Sequence, residues 1–341
     1  MYTFVPLSSL LLLGCLACCP RLFWKYEIHP PESHPPYFPP PLPYFLVSSA
    51  LWSLAYLLRT PIFALVSSVF DGFSPVLVTL AFNVLHVLLY NVFRLSSLPI
   101  LRIRDAMQHD IATWHDPAFY RVWWVALGWA TIDVAVGIWQ SYTQIALYRN
   151  VMVPEDRVPQ VLAQGSEGGS MTNLLSADLE EAVPLSPRAD TPKTTNSVPR
   201  TLDEAIRAAV DQDLEQLMNL KEREDVEEIY GLPVIKIPVF VSCLQRLDSI
   251  LLSTGITLTL SASYLNSSLS LLVPKSNVTH LPSTNRPLLI AFPCIVLLNL
   301  FLNLIYTPLI LPRIGVHTTA YISFLLGLGT FFTGLGLWGA L

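Results

Sequence analysis

The chain has 341 residues, a mean hydropathy of +0.49, 52% hydrophobic residues and only 13% charged ones, where an ordinary soluble domain carries about 25%. That balance excludes a conventional soluble enzyme and selects lipid as the solvent. The net charge of −5 is unevenly spread, since residues 149–236 hold 9 Lys/Arg against 17 Asp/Glu and the rest holds 11 against 8; no basic block is long enough to track a phosphate backbone, so nucleic acid is not an expected partner.

A backbone in hydrocarbon must satisfy its own polar groups, which takes roughly 20 mostly apolar residues per helical span. Residues 4–20 are the first such run. They lack a basic n-region and an A-x-A-like cleavage site, so they read as a retained helix rather than a removed signal. Cys15, Cys18 and Cys19 within it read as small apolar fillers, and with Cys243 and Cys294 they show no zinc-ligand spacing. A proline-rich spacer, 25–43, follows. The span 44–70 is interrupted by Arg59, Thr60 and Pro61, where the proline predicts a kink. A tight turn over 71–75 leads to a third span, 76–93. Residues 94–121, with Arg94, Arg102, Arg104 and Arg121, are expected at the membrane surface. The fourth span, 122–148, is bracketed by Trp123, Trp124 and Tyr148, read as interfacial aromatics.

Residues 149–200 have the Pro/Ser/Thr/Gly-rich composition of disorder. They include Ser186 and Thr191, each followed by proline and open to proline-directed phosphorylation. Thr201 and Glu204 form a capping box. Leu202, Ile206, Val210, Leu214 and Leu217 then recur at helical spacing, predicting an acidic amphipathic helix over 201–230 that suits a protein partner better than an anionic lipid surface. Spans at 237–265, 287–311 and 316–339 complete the chain. The expected fold class is an all-α, polytopic transmembrane bundle of about seven spans, with six to eight admitted. It has a membrane region 1–148, an acidic loop 149–236 and a second membrane region 237–341.

Two N-glycosylation sequons begin at Asn266 and Asn277, whereas 149–236 has none. This places 266–286 in a lumen or outside the cell, the acidic loop in the cytosol, and the protein in a eukaryotic endomembrane or plasma membrane. The positive-inside rule points the other way, because Arg21, Lys25 and the arginines of 94–121 then lie on the lumenal side. The sequon reading is preferred.

Polar residues recur on one face of several spans: Thr79, Asn83, His86 and Tyr90 in the third; Asp133, Gly137, Gln140 and Gln144 in the fourth; Arg246, Ser253, Thr257 and Ser261 in the fifth. Unsatisfied polar groups facing lipid cost several kcal/mol each, so these faces should turn inward. The last span instead offers Ser323, Gly327, Thr330 and Gly334, small residues fit for close packing. Asp133 stands out at mid-span, with His86 as its expected partner in holding a proton or cation. Arg246 and Asp248, two apart, point in different directions and are read as interfacial, with Arg246 snorkelling; Arg59 pairs within the bundle or snorkels likewise. Outside the spans, Asp105 and His109 at i, i+4, with His115 nearby, are a weak metal-ligand candidate, read chiefly as solvated residues.

No GxSxG, HExxH, P-loop or GxGxxG motif places nucleophilic, metallohydrolase or nucleotide chemistry here, and no cofactor is expected. The leading functional reading is transport of a small solute or ion. Its rival is a scaffold that recruits a cytosolic protein through 201–230 while its polar stripes only bond helix to helix. A third reading is an intramembrane enzyme working through 105–116.

Overall fold

A computed structural model describes residues 2–23, 42–109, 111–148, 202–272 and 284–341. The described residues form helices and turns without a strand: α1 (Phe4–Phe23), α2 (Leu42–Leu57), α3 (Arg59–Val69), α4 (Pro75–Ile100), α5 (Pro117–Ala146), α6 (Leu202–Tyr230), α7 (Val239–Leu265), α8 (Arg286–Ile305) and α9 (Val316–Leu337). Six candidate spans are long and apolar enough to cross a membrane, α2 and α3 counting together as one of 28 residues. The apolar run of α1 is shorter, but α1 lies antiparallel to α5. Trp123 donates its indole N–H to the Leu16 carbonyl (2.9 Å) near one end, and Tyr142 donates to the Tyr2 carbonyl (3.4 Å) near the other.

Two units divide the chain, Met1–Thr143 with Val226–Leu341 as one and Gln144–Asp225 as the other. In the second, the Arg223 guanidinium lies 5.8 Å from the centre of the Tyr148 ring, and Val210, Leu214 and Leu217 of α6 are exposed. Ser186 and Thr191 fall outside the described residues.

Within the first unit α5 and α7 are central. About half of their apolar windows is buried (56% and 50%), against 22% or less for the other candidate spans. Trp123 faces the core at 5% exposure. Small residues let α7 and α9 approach closely: a Cβ added at Gly255 would collide with the backbone of Thr330 and Phe331, and one at Gly334 would meet Leu258 at 2.8 Å. Leucine, valine and phenylalanine side chains such as Leu65, Leu77, Leu289, Phe301 and Leu325 are left outward, the surface a bilayer solvates.

The expected kink at Pro61 appears as the break between α2 and α3 at Leu58. Proline cannot donate a backbone N–H, so the ladder is interrupted one turn before it. The third span runs further than the sequence pattern indicates, to Ile100, because Arg94 and Ser97 continue its inward face. The surface segment expected over 94–121 therefore shrinks to the connection between α4 and α5.

That connection is tied to one end of the bundle. Arg104 donates to the Leu265 carbonyl and to Ser270 Oγ (2.9 Å), the Ala112 N–H donates to Asn266 Oδ1 (3.1 Å), and the Trp114 N–H donates to the Trp338 carbonyl (2.7 Å). Asp105 lies in a 3-10 turn, Ile103–Ala106, so it shares no helix face with His109. His109 instead meets Asp116, Nδ1 to Oδ1 at 2.9 Å, and the buried Asp116 also accepts the backbone N–H of Gln108 (3.0 Å). The His115 ring lies tilted against Trp114, with ring centroids 3.8 Å apart. Among the described residues no three His, Cys, Asp or Glu side chains converge as a metal site.

Candidate functional site

The inward faces of α2 to α5 and α7 to α9 enclose a cavity of about 440 Å³. Its charged lining is Arg59, Arg94, Asp133, Arg246 and Asp248, with His86 beside them. Contacts along the helices set the order of these groups. Tyr90 on α4 meets Trp129 on α5, and Arg94, one turn further along α4, meets Ser253 on α7. Asp133, one turn beyond Trp129, accepts a hydrogen bond from Ser249 on α7. Arg246, one turn before Ser249 in the chain, donates to Ser141 on α5 (3.0 Å).

One end of the cavity is closed, with Arg94 at 2% exposure and Trp129 and Asn91 at 0%. Asn299 of α8 donates to Asn91 there (3.0 Å). At the other end Arg59, Tyr56 and Gln140 are exposed, and Gln140 donates to the Tyr56 hydroxyl (3.2 Å). The cavity thus opens where α5 ends and α7 begins.

Arg94 is held by its faces and one corner. Its Cζ lies 4.8 Å from the Trp129 ring and 5.1 Å from the Tyr90 ring. Nη2 donates to the Tyr90 hydroxyl (3.1 Å) and Ser253 Oγ (3.2 Å), and Trp129 Nε1 donates to the same hydroxyl (2.7 Å). Nε and Nη1 have no acceptor. A desolvated cation–π contact contributes about 2 kcal/mol, whereas burying a guanidinium costs several kcal/mol. These contacts therefore offset only part of the cost.

Opposite charges line the cavity without touching. No Arg–Asp pair among Arg94, Arg246, Asp133 and Asp248 comes within 4.0 Å. Glycines make room for two of them: a Cβ at Gly137 would collide with the Arg246 guanidinium, and one at Gly327 with Asp248 Oδ1. Asp248, 6% exposed, faces α9 across that glycine, and its Oδ1 has no donor. The expected interfacial, snorkelling placement of Arg246 and Asp248 is thus corrected, since both line the interior. Their separation by two residues sends one toward α5 and the other toward α9.

His86 and Asp133 line the same cavity but do not bond. The His86 ring stacks on Phe82 (5.7 Å between centroids) and its Nε2 has no partner. Asn83 is half-buried and outside the lining, while Arg59 sits at the open end. Sequence reasoning missed Arg94, Trp52, Trp129 and Ser249. Only Arg94 left a signal, as the next i+4 position after His86 and Tyr90.

Comparison with family models, with curated proteins and with solved structures finds no match for this chain. The fold and site define its class without them: an all-α, polytopic bundle whose apolar helices are those of a multi-pass membrane protein, built around a charged interior cavity.

Proposed function

We propose that the protein moves a small solute or ion across its membrane through the cavity between α4, α5 and α7. The observation that carries this reading is a cavity lined by five formally charged side chains, closed at Arg94 and open at Arg59. Helix-to-helix bonding requires polar groups that satisfy one another, and the worth of such contacts averages about 0.6 kcal/mol. Charges set apart across a one-sided cavity fit a binding site exposed to one face of the membrane at a time.

The scaffold reading draws support from the exposed Val210, Leu214 and Leu217 of α6. One deletion separates the two. Removing 202–225 spares Tyr230, which lines the cavity. A transporter reconstituted in proteoliposomes should keep its solute uptake after that deletion, whereas a scaffold should lose its partner and its function. No uptake of any solute class by the folded wild type, with partner binding lost on the deletion, would overturn the transport reading.

The open end of the cavity faces the cytosol in this proposal, on the side of the acidic loop with Ser186 and Thr191, and the segment after α7 is lumenal. Asn266 caps the end of α7 and its side chain is engaged by Ala112, so Asn277 is the proposed glycan acceptor. Asn277→Gln should abolish a glycosidase-sensitive gel shift, and Asn266→Gln should leave it intact. Absence of any shift in the wild type, with 149–236 protected from external protease in sealed microsomes, would invert this topology.

A further inference from the structure

Hydrogen-bonding capacity in the cavity is lopsided. A guanidinium has five N–H donors. The Nη2 pair of Arg94 is used, but Nε and Nη1 lack acceptors, as does Arg246 Nε. The fully buried carboxylate oxygen without a partner in this lining is Asp248 Oδ1, and it is turned to the α7–α9 seam at Gly327. Formal charge leans the same way, with Arg59, Arg94 and Arg246 against Asp133 and Asp248. Among the fully buried groups of the lining, unpartnered arginine N–H groups outnumber unpartnered carboxylate oxygens, and one formal positive charge is uncompensated.

We infer that the cavity binds a small organic monoanion through a carboxylate, with Arg94 at the closed end as its principal charge partner. The inference rests on reading the cavity as a solute site and names the class of that solute. A carboxylate brings only acceptors when ionised and offers them in the geometry a guanidinium matches. Its single charge cancels the excess. The Tyr90 and Trp129 rings and Ser253 hold the guanidinium in place beforehand, so little ordering is left for the ligand to impose.

The rest of the lining selects an organic body over a bare ion. A volume of about 440 Å³ lies within the range of organic-ligand pockets, and Trp52, Val87, Leu252, Ile256 and Leu302 supply apolar wall. A halide would leave that wall without contacts. A cation would face three arginines, and a zwitterion would leave the excess positive charge in place.

The test uses the full-length protein in nanodiscs of zwitterionic lipid. Sodium butyrate and sodium benzoate are titrated against butyramide, benzamide and sodium chloride at constant ionic strength, with the unfolding midpoint and heat of binding as readouts. The expected result is saturable stabilisation by at least one carboxylate, none by its amide or by chloride, and an apparent Kd weakened about tenfold or more in Arg94→Lys, as loss of hydrogen bonds to a charged group implies. Equal effects of acid and amide, no effect of either carboxylate, or unchanged binding in folded Arg94→Lys would overturn the inference. If that variant does not fold, the acid–amide comparison in the wild type decides. Carboxylate binding without flux in proteoliposomes would overturn the transport reading alone, and flux of a cation without carboxylate binding would overturn this inference alone.

Discussion

Gly255→Val is expected to destabilise the bundle more than any single change in the cavity lining. The Cβ would enter the backbone of Thr330 and Phe331 on α9, and a helix backbone cannot step aside as a flexible side chain can. Overpacking of this kind costs about 1–3 kcal/mol and occasionally more; here the obstacle is main chain, which puts the cost at the upper end. The readouts are the unfolding midpoint and the monodisperse fraction after detergent extraction. Gly329→Val and Gly336→Val are the controls, because a Cβ at either position meets nothing within 4 Å. They should stay close to wild type, where β-branching costs little and glycine's own helix penalty is removed. A Gly255→Val protein as stable as these controls would mean that α7 and α9 are not joined by close backbone contact.

Gly137 separates packing from site chemistry. Its missing Cβ leaves room for the Arg246 guanidinium, the end of a long side chain. Gly137→Ala should therefore fold and push Arg246 out of the cavity, lowering uptake with a smaller drop in the unfolding midpoint than Gly255→Val. Gly137→Ala with wild-type uptake would remove Arg246 from the working part of the cavity.

The span pattern was readable because hydrocarbon imposes a length and a composition on each helix, and α4, α5, α7, α8 and α9 lie close to the apolar runs that predict them. Ends were harder to read where a charge sits inside. Arg94 resembles the start of a surface segment, yet continuing the spacing of His86 and Tyr90 by one turn leads into the cavity. The same ambiguity affects Arg246 and Asp248, since a charge near a helix end can snorkel or turn inward, and only the glycines across from them, Gly137 and Gly327, decide it. Depth in a span can be counted from sequence but direction around the bundle cannot. His86 and Asp133 lie near the middle of their helices, but the partner of Asp133 is Ser249, 116 residues away. Trp52 and Trp129 carried no signal, because an aromatic residue in an apolar run looks the same whether it faces lipid or the interior. The Asn266 sequon shows the converse limit, a motif whose side chain is already engaged by a neighbouring loop.

Charge balance gives the second large effect. Asp133→Asn keeps the size of the side chain and an oxygen able to accept from Ser249, so it removes charge and little else. Arg94 and Arg246 both face Asp133 across the cavity. Removing one partner of a contacting buried pair costs about 3–5 kcal/mol; these groups do not touch, so a loss of roughly 2–3 kcal/mol is expected. The carboxylate should also matter for uptake, since without it the cavity carries a larger positive excess and would hold an anion too tightly to release it. Adding Arg246→Gln restores the balance. The double variant should therefore be more stable than the sum of the single changes predicts, by about 0.5–3 kcal/mol, as for groups sharing one network. Unfolding midpoints of the wild type, both single variants and the double variant in nanodiscs measure that difference. Strict additivity would mean that cavity water screens these charges from one another, leaving Asp133 as a hydrogen-bond acceptor for Ser249. A positive coupling together with lost uptake in Asp133→Asn would make the opposed charges a single functional unit.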